Sequence, residues 1–370
     1  MIIKNANVYS ENGMFIKKDI YIKGNRITEN ETDDIDIFDA VGYYAIPGLT
    51  DLHFHGCVGF DFCDGTHEAI RAMANYEASN GITSIAPATM TLGDDQLAKI
   101  FSCAASYECV SGSDLVGINM EGPYLSEAKK GAQNAKYLKK PDISHFRKMN
   151  KLSGGLIKLV SLAPEEEGST EFIDELKNEV IISIAHTTAD YRTATLALQH
   201  GASHVTHLYN AILPFDHRAP GVIGAAFDDK DCHVELICDG VHIDPSVIRA
   251  TFAMFGDDRI ILVSDSMMAT GMEDGEYSLG GQVVSVAGNR ATLSDGTIAG
   301  SVTNLMKCMQ IVVSFGIPLE SAVKCAAVNP AKEIGIYDEY GSITPGKYAN
   351  IALLDQNYKL KAVVLKGKLL

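Results

Sequence analysis

Ala45-Ile-Pro-Gly-Leu49-Thr-Asp51-Leu-His53-Phe-His55 sets the reading of this chain. Alternate residues of a strand point the same way, so His53 and His55 share one side of an extended segment that begins at Leu49. Two convergent imidazoles at a strand end form a metal seat. The competing reading is two unrelated polar histidines. The rest of the chain decides between them.

Seven further apolar runs follow Leu49–His55: Ile82–Met90, Leu115–Pro123, Ile157–Pro164, Val180–Thr188, His204–Asn210, His233–His242 and Ile260–Met267. Amphipathic stretches lie between several of them, including Thr66–Asn80, Asp94–Cys109, Ala189–His200 and Pro245–Phe255. Gly81, Gly201 and Gly256 stand where helices need a C-terminal glycine. Continuous apolar strands alternating with helices predict a parallel sheet covered on both faces. Eight repeats predict an α/β fold of the (β/α)8 TIM barrel type over residues 48–342. Gly280–Leu293 reads as a hairpin inserted after the eighth strand. Residues 1–47 and 343–370 carry short strands, with a hairpin signal at Gly24-Asn25. Neither end has apolar residues enough for its own core, so the two are expected to pair into one small β-sandwich domain.

The chain has 370 residues, 46% hydrophobic, with a net charge of −16. That charge argues against nucleic acid and anionic membranes as partners but allows an anionic small molecule in a locally positive pocket. The eight cysteines include no Cys-x-x-Cys and read as reduced and mostly buried. No secretory leader or membrane-spanning run is visible, so a cytoplasmic protein is expected.

Barrel enzymes carry their chemistry at the C-terminal ends of the strands. There this sequence places His53 and His55, Glu121, His186, His207 and Asp265, with Asp239 and His242 at the seventh strand. Imidazole and carboxylate ligands suit zinc or ferrous iron without a thiolate. Cys57, close by, has no thiolate partner and reads as packing. Glu121 reads as a ligand in preference to an ion pair with Lys129 or Lys130. Asp265 could cap a turn, but at a strand end above the axis it can exchange a proton with a reacting water. His200 and His204 read as capping or surface residues. Four imidazoles and a carboxylate exceed what one open tetrahedral metal uses. They predict two metals bridged by Glu121, one on His53 and His55 and one on His186 and His207.

Several motifs together resemble the N-acetylglucosamine-6-phosphate deacetylase family within the amidohydrolase superfamily. They are Met120-Glu-Gly-Pro123, Ala185-His-Thr187, Thr206-His-Leu-Tyr-Asn-Ala211, Ala219-Pro-Gly-Val-Ile-Gly224, Cys238-Asp-Gly-Val-His242, Ser264-Asp-Ser-Met267 and Thr297-Ile-Ala-Gly-Ser301. The resemblance implies hydrolysis of an acetamide on a phosphorylated amino sugar, in amino-sugar catabolism and cell-wall sugar recycling, by a homodimer holding one or two divalent metals. It implies Glu121, His186 and His207 as shared metal ligands and Asp265 as acid/base; His53 and His55 match members with a second metal. Ala132, Asn210, Ala211, Arg218, His242, Ile298, Ala299, Gly300 and Ser301 resemble sugar-phosphate contacts. Gln133 replaces a histidine found in some members, and Asn350 replaces a common aspartate. A cyclic amidohydrolase would place a carboxylated lysine at the end of strand four, whereas Lys158 lies near its start. A catalytically silent sugar-phosphate sensor is the other alternative.

Overall fold

The computed structural model describes residues 1–29 and 36–370. Residues 30–35, inside the expected N-terminal β segment, lie outside them.

The two chain ends do pair. Ile2–Tyr9, Phe15–Lys23, Arg26–Thr28, Ile37–Asp39 and Tyr44–Pro47 join Ile351–Leu354, Leu360–Leu365 and Lys368–Leu369 in one eight-stranded sheet. The join is antiparallel, with Ile351 opposite Pro47 and Leu354 opposite Tyr44. Gly24, at φ 61°, helps turn the hairpin whose last pair is Lys23 with Arg26. Ile3, Val8, Ile20 and Ile22 from one end pack with Ile351, Leu353 and Val364 from the other. The ladder is a single mixed sheet, where two facing sheets were expected.

All eight central runs form parallel strands, in two sheets. Leu49–Asp51 pairs with Ile82–Ile85, which also takes Asp114–Leu115. Ile118–Tyr124, Ile157–Leu162, Ile181–Ile184, His204–Val205, His233–Ile237 and Ile260–Val263 follow in chain order in a six-stranded sheet. The run read as Leu115–Pro123 is thus divided between the sheets. It changes partner at Gly117, where a Cβ would lie 2.5 Å from the Lys158 side chain. One isolated bridge, Ala88 with Asn119, links the two sheets at one side. At the other side Asp265 N donates to His53 O at 2.8 Å, and His55 N donates to Ser266 O at 2.7 Å.

Side chains cap the starts of several helices. Thr66, Asp142, Asp190 and Asp244 each accept from a backbone N–H in the first turn of the helix that follows. The helix expected over Asp94–Cys109 stops at Ala105. The insertion after the eighth strand has three strands, Gly275–Leu279, Gln282–Ala287 and Arg290–Thr292, one more than a hairpin. All eight cysteines are free, five of them buried. Among the described residues no helix is long and apolar enough to cross a membrane.

The sheet of chain ends is anchored beside the first parallel strand, since Gly48 N donates to Asn350 O at 2.9 Å. Ile351 is fully buried there. Ile351→Ala is expected to cost about 2–5 kcal/mol in denaturant unfolding while leaving metal content unchanged. A loss below ~0.5 kcal/mol would show that joining the ends adds little stability.

Candidate active site

The rim residues singled out by the sequence lie where parallel strands give way to their loops, except Glu121, which stands within the strand Ile118–Tyr124. Three of them, His186, His207 and Asp265, have positive φ angles of 43°, 29° and 48°. Non-glycine residues in that region are strained by roughly 1–3 kcal/mol each, so the surrounding structure must hold them there. Hydrogen bonds do this. His207 N donates to Glu235 Oε2 at 3.0 Å. Ser126 N donates to the His186 carbonyl at 3.0 Å, and Ser301 N to the Asp265 carbonyl at 2.6 Å.

Glu121 is the hub. Its Oε1 lies 3.2 Å from His186 Nε2, 3.1 Å from His207 Nε2 and 3.5 Å from His53 Nε2. Its Oε2 lies 3.4 Å from His55 Nε2 and accepts from Gln133 Nε2 at 2.6 Å. Burial opposes its charge, but the field of His53 and hydrogen bonds from His186 and His207 hold the carboxyl well below the usual carboxylate range. Lys129 and Lys130 make no ion pair with it: their Nζ atoms donate to the carbonyls of Ile212 and Gly131.

The tautomers test whether a metal fits. His186 Nδ1 donates to Lys129 O at 2.8 Å, and His53 Nδ1 to Glu235 Oε2 at 2.9 Å. Once these rings give up their Nε2 protons, as metal ligands must, the two lone pairs face carboxylate oxygens. His53 Nε2 is buried without a hydrogen-bond partner. Converging lone pairs repel unless a cation lies between them. Two trios meet this description: His53, His55 and Asp265, and Glu121, His186 and His207, each with its ligand atoms within 4.8 Å of one another. The residues fit divalent metal. Asp265 Oδ1, 3.4 Å from His55 Nε2 and 3.7 Å from His53 Nε2, belongs to the first trio as well as being the expected proton carrier.

Residues 44–370 match the amidohydrolase family. The chain belongs to that family. It is 34% identical over 382 residues to the N-acetylglucosamine-6-phosphate deacetylase of Bacillus subtilis (strain 168), covering 100% of this chain and 96% of the relative. It is also similar to a solved N-acetyl-D-glucosamine-6-phosphate deacetylase mutant from Mycobacterium smegmatis, in complex with N-acetyl-D-glucosamine-6-phosphate. The TM-score is 0.93 at 29% identity, with 100% of this chain and 98% of that one covered. The Thermotoga maritima N-acetylglucosamine-6-phosphate deacetylase gives a TM-score of 0.90 at 28% identity, covering 100% and 99%.

In this amidohydrolase the trios border a cavity of about 350 Å³. Ala132, Asn210, Ala211, His242, Ile298 and Gly300 line it, as do His55, Glu121, His186, His207 and Asp265. The Ala132 carbonyl accepts from Gln282 of the inserted sheet. Ala299 and Ser301 are buried behind the wall, where Ser301 Oγ donates to Ser264 O at 2.6 Å. Arg218 stands on an exposed loop outside that lining, its N donating to Asp216 Oδ1 at 2.9 Å. His242 Nδ1 pairs with Asp239 Oδ2 at 2.7 Å. Burial opposes charge on the His242 ring, but Asp239 raises its pKa overall. Cys57 is buried against the Met73 carbonyl, as packing.

His204 corrects the sequence reading. It is fully buried and contacts two carboxylates, because its strand turns it inward; His200 is half-buried at its helix end beside Asp174. Sequence reasoning also missed Lys129 in the cavity wall and Glu235 behind His53. A signal for Glu235 was present: an acid in the middle of the apolar strand His233-Val-Glu-Leu-Ile237 must be buried with partners.

Gln133 orients Glu121, and its own Oε1 accepts from Thr91 N at 2.7 Å. Gln133→Ala is expected to weaken metal binding about ten- to a hundredfold, as loss of a group that holds a ligand does. Chelator competition on metal-stripped protein measures it, and unchanged affinity would remove Gln133 from the metal site's support.

Proposed function

We propose that this chain hydrolyses the acetamide of N-acetylglucosamine 6-phosphate to glucosamine 6-phosphate and acetate. The observation that carries the reading is the pair of ligand trios meeting at Glu121, with Asp265 beside them and a sugar-sized cavity in front. Lys158 lies at the start of Ile157–Leu162, away from the rim, so the carboxylated-lysine arrangement of cyclic amidohydrolases has no counterpart here. The supporting fold is a (β/α)8 barrel over 48–342, its first and eighth strands joined by the His53–Asp265 contact. A small β domain is built from 1–47 and 343–370.

His53, His55 and Asp265 would hold one divalent metal and His186, His207 and Glu121 a second, with Glu121 bridging. Zinc suits the donors best and ferrous iron next. Bound there, the metal supplies Lewis acidity, bringing the pKa of a coordinated water from 15.7 towards about 7 and polarising the acyl oxygen. Asp265 takes a proton from the attacking water as the water oxygen bonds to the acetyl carbon. The same carboxyl returns a proton to the sugar nitrogen as the C–N bond breaks, so acetate and the free amine leave. Burial opposes charge on Asp265, but the hydrogen bond from His55 and the fields of His53, His55 and His207 lower its pKa, which keeps it ready as a base. Asn210 and the Ala211 backbone, with His242 and Lys129, offer the phosphate donors and positive charge within an acidic chain. Arg218 reaches the phosphate from the rim, within one subunit or across a homodimer.

Acetate release from the gluco and galacto 6-phosphates, with metal analysis of the same preparation, tests the assignment. No release from either substrate by metal-replete protein would overturn it. Asp265→Asn is expected to bind substrate and lower kcat by about 10⁴-fold, the upper end for one group acting as both base and acid. A rate within a few-fold of the parent would place proton transfer elsewhere.

Arg218→Ala is expected to lower kcat/KM for the 6-phosphate by about ten- to a few-hundredfold, in line with ~1.5–3 kcal/mol for a charge-assisted contact. Activity on the unphosphorylated sugar should scarcely change. Equal losses on both substrates would mean that Arg218 supports the loop or an interface and does not read phosphate.

A further inference from the structure

Behind the rim, carboxylates and imidazoles alternate through the interior. His53 Nδ1 meets Glu235 Oε2 at 2.9 Å, and Glu235 Oε1 meets His204 Nε2 at 3.1 Å. His204 Nδ1 meets Glu333 Oε1 at 2.8 Å, and Glu333 Oε2 meets His233 Nδ1 at 2.8 Å. The series starts at a strand end on the active-site rim. It finishes at His204 and His233, which begin their strands, and at Glu333 on the helix Asn329–Glu333. His53, His204 and Glu235 are fully buried, Glu333 nearly so, and only His233 reaches solvent.

Glu235 ties the two metal sites together. One of its oxygens takes both the His53 ring N–H and the His207 backbone N–H. Its position therefore sets where His53 Nε2 points and where the His207 loop begins. Glu235 is itself held from behind by His204, which has a carboxylate at each ring nitrogen. That is a geometry only an imidazolium satisfies with two donors. Burial alone would make His204 neutral, but Glu235 and Glu333 raise its pKa to about 9. Without it, two carboxylates would face each other in the interior at a heavy desolvation cost.

We infer that His204 and Glu333 are positioning residues for the metal site on His53 and His55, acting through Glu235 to fix the tautomer and direction of the His53 ring. The inference rests on the two-metal reading above. A purely structural ion-pair network would stabilise the fold without changing how tightly that site holds metal. The two roles therefore separate in a metal-binding measurement.

The test titrates metal-stripped protein with zinc against a competing chelator, reading stoichiometry and both affinities, with far-UV circular dichroism and melting temperature recorded alongside. The double variant His53→Ala/His55→Ala marks the signal of the first site. In His204→Asn the first-site affinity is expected to fall about ten- to a hundredfold, the usual consequence of losing the groups behind a ligating imidazole. The second site should lose less, because His186 is oriented by Lys129 O and His207 meets Glu235 only through its backbone N–H. Glu333→Gln keeps the volume and an acceptor for His204 Nδ1–H, folds more readily, and is expected to give a smaller loss at the same site. Folded variants that bind two equivalents at parental affinity, even with a lowered melting temperature, would overturn the inference. So would a parent that binds one equivalent. Acetate release by that same parent reads the deacetylase assignment independently, so failure of one is not mistaken for failure of the other.

Discussion

The carboxylate of Glu121 is the constraint on which the rest of this structure depends. It is buried, and four imidazoles and one amide are directed at its two oxygens. A lone carboxylate in such a place would be driven to its neutral form. Here the surrounding rings keep it ionised. The strand ends at His186, His207 and Asp265 adopt strained backbone angles so that their side chains reach it or its neighbours. The loops behind them, from Ser126 to Ser301, supply the hydrogen bonds that offset the strain.

Charge organises a second layer further inside. The acidic chain sets several of its buried negative groups next to imidazoles: Asp239 at His242, Glu235 at His53 and His204, and Glu333 at His204 and His233. At His53 and His242 the contact selects a tautomer, whereas His204 is held as an imidazolium. Selection at Nδ1 leaves Nε2 free to act, toward Glu121 and Asp265 at His53 and in the cavity wall at His242. The low dielectric of the interior makes these pairings strong and would make an unpaired member costly.

Much of the architecture was legible in one dimension because apolar periodicity survives folding. The eight central runs all became parallel strands, and the chain ends paired as their shortage of apolar residues required. Lengths were less legible: His204–Asn210 supplies only the two-residue strand His204–Val205 before the chain turns to present His207. The run from Leu115 changes sheet at Gly117, because a glycine there lets the chain pass the Lys158 side chain. Such steps depend on neighbours far apart in sequence.

The sequence by itself singled out the candidate ligand set. His53, His55, Glu121, His186, His207 and Asp265 are polar residues at or near the C-terminal ends of apolar strands, where the β/α repeat puts the chemistry. Only the tertiary structure decided what stands behind and around them. Gln133 holds Glu121, His204 is interior, Lys129 belongs to the cavity wall, and Arg218 stands outside it. The physical reason is range. Periodicity reports which face of a strand or helix is buried. The partner of a buried polar atom is set by contacts across many residues, such as the 182 separating His53 from Glu235.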